Sequence, residues 1–375
     1  MNRLSLILCC IIVMSACNMK DSNLEIEWNV AGTLPADTDN AAHIGVAGPV
    51  TGMIDDILIV AGGANFPDGM PWDGGTKAYS KEVYLYAIGQ NSELELTHTH
   101  TFEDSVAYAA NISLDNAIYS IGGERNGIAT SDVYRYYLED NTLKRVQLAA
   151  LPQPLTNGGA AHVDEYIYFV GGENAESVSS KVYRLRFAEE GATWEEFSDL
   201  PKPITHAVIT SDESENIYII GGRKRNTNAK SDMYFEVYGL NILSKKTELI
   251  DNLPETLAAG TGGYFNHNLI VIGGDNARTF HQVEALIGAI NLESDENMKA
   301  ELIAKKNEMQ RSHPGFSSDV WIYNLTEKSW KKTNKLNGAS PVTTTAVFYN
   351  DTIVIPSGEV RAGVRTDQIL MGKIK

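Results

Sequence analysis

Cysteine is almost missing from this 375-residue chain, whose three cysteines are Cys9, Cys10 and Cys17. Because none lies beyond position 17, no disulfide framework can stabilise the body of the protein. Basic residues are also few, with 31 Lys and Arg against 48 Asp and Glu and a formal net charge of −17. Such an acidic surface disfavours nucleic acid and anionic membrane faces as partners. An anionic ligand would therefore need a local cluster of arginines.

The apolar run from Leu4 to Val13 is too short to span a bilayer as a helix. It follows Arg3 and precedes Met14-Ser15-Ala16-Cys17, a pattern typical of a signal peptide that ends in small residues before a cysteine. We predict a signal peptide over 1–16, lipid attachment at Cys17 and a polar tether over 17–25. The protein would then be an exported lipoprotein, periplasmic or associated with the outer membrane, with the membrane only as its anchor. A plain secretory signal is the alternative.

Five apolar, β-rich runs each end in a glycine pair, and together they indicate an internal repeat. They are ILIVAGG (57–63), IYSIGG (118–123), IYFVGG (167–172), IYIIGG (217–222) and LIVIGG (269–274). Their first glycines are 60, 49, 50 and 52 residues apart, close to the period of about fifty of kelch repeats. Short strands at this spacing are typical of an all-β propeller. We expect the glycines to lie where strands converge near the axis, because glycine permits close backbone approach.

A sixth unit is present in altered form near the C-terminus. Thr352 to Glu359 has the β-run and one glycine of the expected pair, and Thr366 to Leu370 follows as the next strand. The chain then ends one strand short. The segment Ile26-Glu27-Trp28, followed by Leu34-Pro35, resembles the outer strand of the other units. We therefore predict a six-bladed kelch β-propeller over 26–375, closed by the N-terminal strand in the last blade.

The spacing between the fifth glycine pair and Gly358 stretches to 84 residues. The excess lies in 276–316, where the residues from Glu293 onward are strong helix formers without Gly or Pro. We predict a helical insertion with its N-cap at Ser294. Such loops often carry function, and a solvated decoration is the alternative.

Polar residues come directly after the glycine pairs, at the loops where function gathers in a propeller. These candidate substrate-binding residues are Asn65, Glu124, Arg125, Glu173, Arg223, Asp275 and Arg361, with Glu359 and Arg365 in the last unit. Carboxylates, amides and guanidiniums in a ring suit a polar ligand of the size of a sugar. A glycine turn followed by ordinary solvated residues would show the same pattern.

Two stretches differ from the other repeats: Ala61-Gly-Gly-Ala-Asn-Phe-Pro67, and Ser357-Gly-Glu-Val-Arg-Ala-Gly-Val-Arg-Thr-Asp367. Together they resemble the signature segments of the sialic acid mutarotase (N-acetylneuraminate epimerase) family, a family of six-bladed kelch propellers. The order of the two segments resembles its cyclically permuted members, because the Gly-Glu segment precedes the Ala-Gly-Gly-Ala segment in the unpermuted form. A closed ring can be cut between any two blades. The likeness extends over essentially the whole mature chain.

The resemblance implies an activity and roles for individual residues. Glu359 matches the family's proposed catalytic carboxylate, Arg365 its partner arginine, and Glu124 a recurrent glutamate. Around Ser105-Val-Ala-Tyr108 the chain departs from the family, in which an Arg often precedes the Ala-Tyr pair. The implied reaction is mutarotation of sialic acid without a cofactor.

In that reaction Glu359 would be the general acid/base and Arg365 the clamp on the substrate carboxylate. Arg361, Arg223 and Arg125 are further candidates for the clamp. A simple ion pair between Glu359 and Arg365 that fixes the last loop is the structural alternative.

Other functions remain to be weighed. The main competitor is a non-catalytic kelch propeller that binds a glycan or a protein, and another is a mutarotase for a different sugar acid. A sialidase is disfavoured because its repeated Ser-x-Asp-x-Gly-x-Thr-Trp motif is missing. A copper oxidase of the kelch type needs a cysteine cross-linked to tyrosine, which the mature body lacks. The pair His98 and His100 does not form a convincing metal site.

Overall fold

A computed structural model describes residues 24–36, 42–89 and 93–375. The predicted signal peptide, Cys17 and most of the tether lie outside the described residues. In the part of the chain that is described, no helix has the length and apolar character needed to cross a membrane.

Six four-stranded antiparallel sheets form the blades of a β-propeller, which confirms the predicted fold. The first strands of neighbouring blades lie side by side around the axis. From the axis outward, blades 1 to 3 contain Val50–Ile54, Ile57–Ala61, Glu82–Ile88 and Leu94–Thr101; Ala110–Leu114, Ala117–Ile121, Val133–Glu139 and Thr142–Gln147; and Gly159–Val163, Tyr166–Val170, Lys181–Arg186 and Glu195–Asp199. Blades 4 to 6 contain Val208–Ser211, Asn216–Ile220, Glu236–Asn241 and Lys246–Asn252; Thr261–Phe265, Asn268–Ile272, Val320–Asn324 and Ser329–Lys332; and Val347–Tyr349, Thr352–Pro356, Gln368–Ile374 and Ile26–Thr33.

The N-terminal strand closes the ring as predicted. Ile26–Thr33 pairs antiparallel with Gln368–Ile374, so that Trp28 lies opposite Gly372. A Cβ at Gly372 would lie 2.8 Å from the Trp28 ring, so the glycine leaves room for the indole. Pairing the two chain ends in one blade removes the unpaired edge that the strand Gln368–Ile374 would otherwise present.

The second strand of each blade is a continuous apolar run because both of its faces are buried. In blade 1, Leu58 and Val60 pack in the apolar cluster toward blade 6, and Ile59 and Ala61 pack in the cluster toward blade 2. Successive residues of a strand point to opposite faces. Each of the six interfaces between blades contains such a cluster, and this explains why the repeats lack the alternation of a half-exposed strand.

The glycine pairs end the second strands and lie against the segments that lead into the innermost strands, with the close backbone approach expected of them. Their close approach is to the next blade. Gly122 has φ +66°, and a Cβ there would lie 2.3 Å from the carbonyl oxygen of Leu155, in the segment that leads into the innermost strand of blade 3. Gly123 N–H donates to that same carbonyl at 2.9 Å. The glycines therefore join neighbouring blades at one end of the ring.

A closed ring of backbone hydrogen bonds surrounds the axis just before the innermost strands. Six residues with left-handed φ form it, one from each blade, and each N–H donates to the carbonyl of its counterpart in the preceding blade at 2.7–3.0 Å. They are Gly48, Tyr108, Asn157, His206, Ala259 and Thr343. The ring fixes the side chains at these positions around one central opening.

Short hairpins follow several glycine pairs on the same end of the propeller. They join Ala64–Asn65 to Ala78–Tyr79, Glu124–Arg125 to Ile128–Ala129, Arg223–Asn226 to Ala229–Met233, and Glu359–Arg361 to Val364–Arg365, and a 3-10 helix covers Pro71–Asp73. These hairpins carry most of the polar candidates. They form the walls of the candidate site described below.

The insertion in blade 5 consists of two helices, α1 (Arg278–Leu292) and α2 (Glu296–Arg311). The predicted N-cap at Ser294 is wrong by one residue: Asp295 caps α2 by accepting hydrogen bonds from the N–H groups of Asn297 and Met298. The sequence did not predict α1 as a helix of its own within the insertion, because its residues lack a clear start signal. The residue at its N-cap, Ala277, has no side-chain oxygen that could accept a hydrogen bond from the first N–H groups of the helix.

Candidate functional site

The polar residues that follow the glycine pairs occupy equivalent positions in the ring. In each blade, the first residue after the pair forms an antiparallel bridge with the residue just before the backbone hydrogen-bond ring. These six positions hold Ala64, Glu124, Glu173, Arg223, Asp275 and Glu359. Five residues that the sequence singled out therefore lie around one opening, on the end of the propeller that carries the hairpins.

Glu359 and Arg365 face each other across the hairpin of blade 6. Their side chains approach to 3.5 Å between Oε2 and Nη2, and the Gly363 N–H donates to Glu359 Oε1 at 2.7 Å. Burial raises the pKa of the Glu359 carboxyl, while the Arg365 guanidinium and the Gly363 N–H act in the opposite direction. The pKa of the Glu359 carboxyl is therefore set by opposing effects, with burial the largest.

Arg365 is almost fully buried beside Glu359. Its side chain is only 5% exposed and stacks on Phe66, with the guanidinium carbon 4.6 Å from the ring centre. Its Nε and Nη1 have no hydrogen-bond partner among the described residues. Buried donors are nearly always paired in folded proteins, so these open N–H groups of Arg365 are available to an acceptor.

A second cation reaches the site from blade 1. Lys77 Nζ lies 2.8 Å from Glu124 Oε1 and 5.1 Å from the centre of the Tyr108 ring. The Tyr79 hydroxyl donates to the same Glu124 oxygen at 2.5 Å and accepts the N–H of Gly127 at 2.7 Å. Burial, followed by the hydrogen bond to Glu124, raises the pKa of Tyr79 to about 12. Glu124 is thus held in a neutralised network that joins blades 1 and 2.

Glu173 forms ion pairs with two arginines of blade 4. Its carboxylate lies 3.2 Å from Arg225 Nε and 3.6 Å from Arg223 Nη2. His206, in the backbone hydrogen-bond ring, lies 3.8 Å from the same carboxylate, and burial lowers the pKa of this histidine well below its usual value. Arg223, a candidate clamp from the sequence, shares the Glu173 carboxylate with Arg225.

Asp275 joins the site to the helical insertion. Its Oδ1 accepts the Ala277 N–H at 2.8 Å, and burial raises the pKa of its carboxyl against the effect of that bond and of His313 and Arg223. Arg361 is exposed. Burial lowers the pKa of His313, and the positive charge of Arg361 lowers it further. Arg361 lies on the same hairpin as Glu359, two residues further along the strand and opposite Val364.

Two predicted ligands are engaged elsewhere. Arg125 forms ion pairs with Asp104 and with Asp132, the latter at 3.3 Å, in a cluster that does not include Glu359. Asn65 Nδ2 donates to the Gly45 carbonyl at 3.2 Å and so fixes the loop that carries Phe66. In the structure, Arg125 is therefore part of an ion-pair cluster, and Asn65 positions the loop of Phe66.

The helical insertion lies across the hairpin face from blade 4 to blade 1. In α1, Glu284 accepts hydrogen bonds from the N–H and hydroxyl of Ser231 at 3.0 and 2.6 Å. In α2, Asn307 donates to the Trp72 carbonyl at 3.0 Å, and Arg311 pairs with Asp73 at 2.9 Å. The insertion thus connects walls of the site that are far apart in sequence.

Sequence reasoning missed Lys77, Tyr79, His206 and Arg225, and it treated Tyr108 only as part of a departure from the family. One signal could have found two of them: Tyr108 and His206 occupy the same place in their repeats, two residues before the innermost strand. Over the described parts of the chain, no three His, Cys, Asp or Glu side chains are grouped so as to hold a metal ion.

The sequence is similar to known proteins of one family. The family model described as "NANM: N-acetylneuraminate epimerase" matches residues 148–375. The N-acetylneuraminate epimerase of Salmonella typhi is 28% identical over 159 residues, 42% of this chain and 40% of that protein. The Vibrio vulnificus protein of the same name is 29% identical over 126 residues, 31% of this chain and 32% of its own. These alignments span less than half of the curated relatives' length.

A solved structure supports the fold. The chain titled "Structure of YjhT" superposes with a TM-score of 0.61 and covers 92% of this chain and all of its own, at 13% identity. At that identity the likeness concerns the fold alone. The family model, in contrast, matches more than half of the sequence, including the Gly-Glu segment with Glu359 and Arg365. On these grounds the chain belongs to the N-acetylneuraminate epimerase family.

Proposed function

We propose that this protein is an isomerase that interconverts the anomers of N-acetylneuraminate by opening and re-closing the sugar ring, without a cofactor. The observation that carries the proposal is the pairing of Glu359 with Arg365 at the opening of the propeller, one group suited to move a proton and one suited to hold a carboxylate. The names of the matched relatives support the choice of substrate.

In the proposed reaction, Arg365 binds the carboxylate of the sugar acid and places the anomeric carbon beside Glu359. The Glu359 carboxylate accepts the proton of the anomeric hydroxyl as the bond between the anomeric carbon and the ring oxygen breaks, and the freed ring oxygen takes up a proton from water or from an acid of the site. The open keto form then rotates and closes on its other face, and Glu359 returns the proton. Burial of Glu359 raises its pKa and so brings its proton affinity closer to what this exchange needs.

The experiment is an NMR time course of anomer exchange that begins from a solution enriched in one anomer of N-acetylneuraminate. We expect the protein to accelerate exchange strongly over buffer and Glu359→Gln to abolish the acceleration. Glu248→Gln, an exposed glutamate on the outer strand of blade 4, is the control and should keep full activity. Exchange at the buffer rate would refute the proposal and favour a non-catalytic propeller that binds a glycan or a protein.

We also propose that the protein is exported and anchored by lipid at Cys17. The support is the run from Leu4 to Val13 followed by Ser15-Ala16-Cys17. Labelling with a radioactive fatty acid in a bacterial host should mark the wild type and not Cys17→Ser, and the variant should move from the membrane to the soluble fraction. Unlabelled wild type would refute the anchor.

A further inference from the structure

Tyr108 occupies an unusual place for a large side chain. It is a member of the backbone hydrogen-bond ring and has φ 58°, a conformation that bulky residues rarely adopt. Blade 1 makes room for it with Gly48, where a Cβ would lie 2.5 Å from Tyr108 Cδ1. The same two residues line an axial cavity of about 120 Å³. The fold therefore holds the phenol in one fixed position at the central opening.

The surroundings of the phenol are those of the proposed reaction centre. Arg365, Glu359 and Lys77 all lie close enough to its hydroxyl to act on its charge. Lys77 Nζ lies 5.1 Å from the ring centre. Burial raises the pKa of Tyr108, whereas the two cations lower it. The phenol is thus a neutral O–H donor at neutral pH whose anion, once formed, has two cations beside it.

Glu359 by itself is poorly arranged to handle both protons of a ring opening. Its Oε1 already accepts the Gly363 N–H at 2.7 Å and its Oε2 lies 3.5 Å from Arg365 Nη2, so one carboxylate with both oxygens engaged would have to serve two oxygens of the sugar. The anomeric hydroxyl must lose a proton while the ring oxygen gains one. A second group that begins protonated would supply the latter.

We propose that Tyr108 is this second proton-transfer group, a role that rests on the proposed mutarotase function. As the bond between the anomeric carbon and the ring oxygen breaks, the Tyr108 hydroxyl gives its proton to the ring oxygen and Glu359 takes the proton of the anomeric hydroxyl. The products are the open keto form, a phenolate and a protonated Glu359. Closure on the other face reverses both transfers, so that the enzyme returns to its starting state and no other reactant is needed.

The test compares Tyr108→Phe with Tyr86→Phe by the same NMR exchange assay over a range of pH. Tyr86 is a matched control, because its buried hydroxyl donates to the Thr33 carbonyl at 2.9 Å in the apolar cluster between blades 6 and 1. General acid catalysis contributes on the order of 100-fold or more. We expect kcat to fall by about that factor in Tyr108→Phe, with KM nearly unchanged. Tyr86→Phe should keep the wild-type kcat.

A second measurement separates chemistry from packing. Site-specific 3-fluorotyrosine at position 108 keeps the ring in place but lowers the pKa of the phenol, so the alkaline limb of the kcat profile should move to lower pH while the acid limb stays. A purely structural tyrosine would leave both limbs in place. An active wild type with full kcat in Tyr108→Phe, or an unmoved alkaline limb, overturns the role of Tyr108. A wild type without activity refutes the proposed function itself.

Discussion

Replacing Arg365 by lysine would test the anion receptor while keeping its positive charge. The guanidinium is 5% exposed, stacks on Phe66 and has two N–H positions without a partner among the described residues. Lysine offers one compact donor group and cannot reproduce a two-point contact with a carboxylate. A hydrogen bond to a charged group contributes about 1.5–3 kcal/mol, and loss of the ring stacking adds to this. We expect a loss of about 2–3 kcal/mol in substrate binding, roughly 30- to 150-fold in KM.

Anomer-exchange kinetics over a range of N-acetylneuraminate concentrations would measure this loss. The matched control is Arg125→Lys: Arg125 is an arginine of the same face that also has N–H positions without a hydrogen-bond partner, but two carboxylates, Asp104 and Asp132, already balance its charge. Sequence reasoning grouped both arginines as ligands, whereas the structure separates them. A KM of Arg365→Lys within about twofold of the wild-type KM would be far below the rise expected from losing hydrogen bonds to a charged group. Such a result would refute the role of Arg365 as an anion receptor. An equal rise in Arg125→Lys would refute the separation.

Three further outcomes follow from the structure. Burial raises the pKa of Glu359, and the carboxylate form is the base, so kcat/KM should fall as the pH drops through a midpoint above 4.5, the ordinary pKa of a glutamate. A pH profile with its acid midpoint at or below 4.5 would contradict this. In urea unfolding, Gly191→Ala should lose about 1–2 kcal/mol from its left-handed φ of +76° alone. Gly122→Ala should lose a further 1–3 kcal/mol or so from overpacking against Leu155, and equal losses would show that the close approach between blades matters little. Deletion of the N-terminal residues up to and including Thr33 should expose the edge of Gln368–Ile374 and give soluble oligomers or aggregates in light scattering. A monomer of unchanged thermal stability would disprove ring closure by this strand.

The sequence by itself was enough for the architecture. Each blade repeats one apolar run and one glycine turn, so the pattern at Ile57–Ala61 predicts those at Ala117–Ile121 and Tyr166–Val170. The closing strand could be predicted because the last unit lacks one strand and the segment Ile26–Thr33 supplies it. The same regularity placed Glu124, Glu173 and Glu359 at equivalent positions around the axis, since equal spacing along the chain becomes equal position in the ring.

Only the tertiary structure decided which of those side chains meet. Lys77 of blade 1 pairs with Glu124 of blade 2, and Tyr108 of blade 2 lies beside Arg365 of blade 6. Arg125, next to Glu124 in sequence, points into another ion-pair cluster. Spacing along the chain fixes the order of the blades and the face on which each loop emerges. The pairing of charges depends instead on distances between blades and on burial, which arise only when the ring closes.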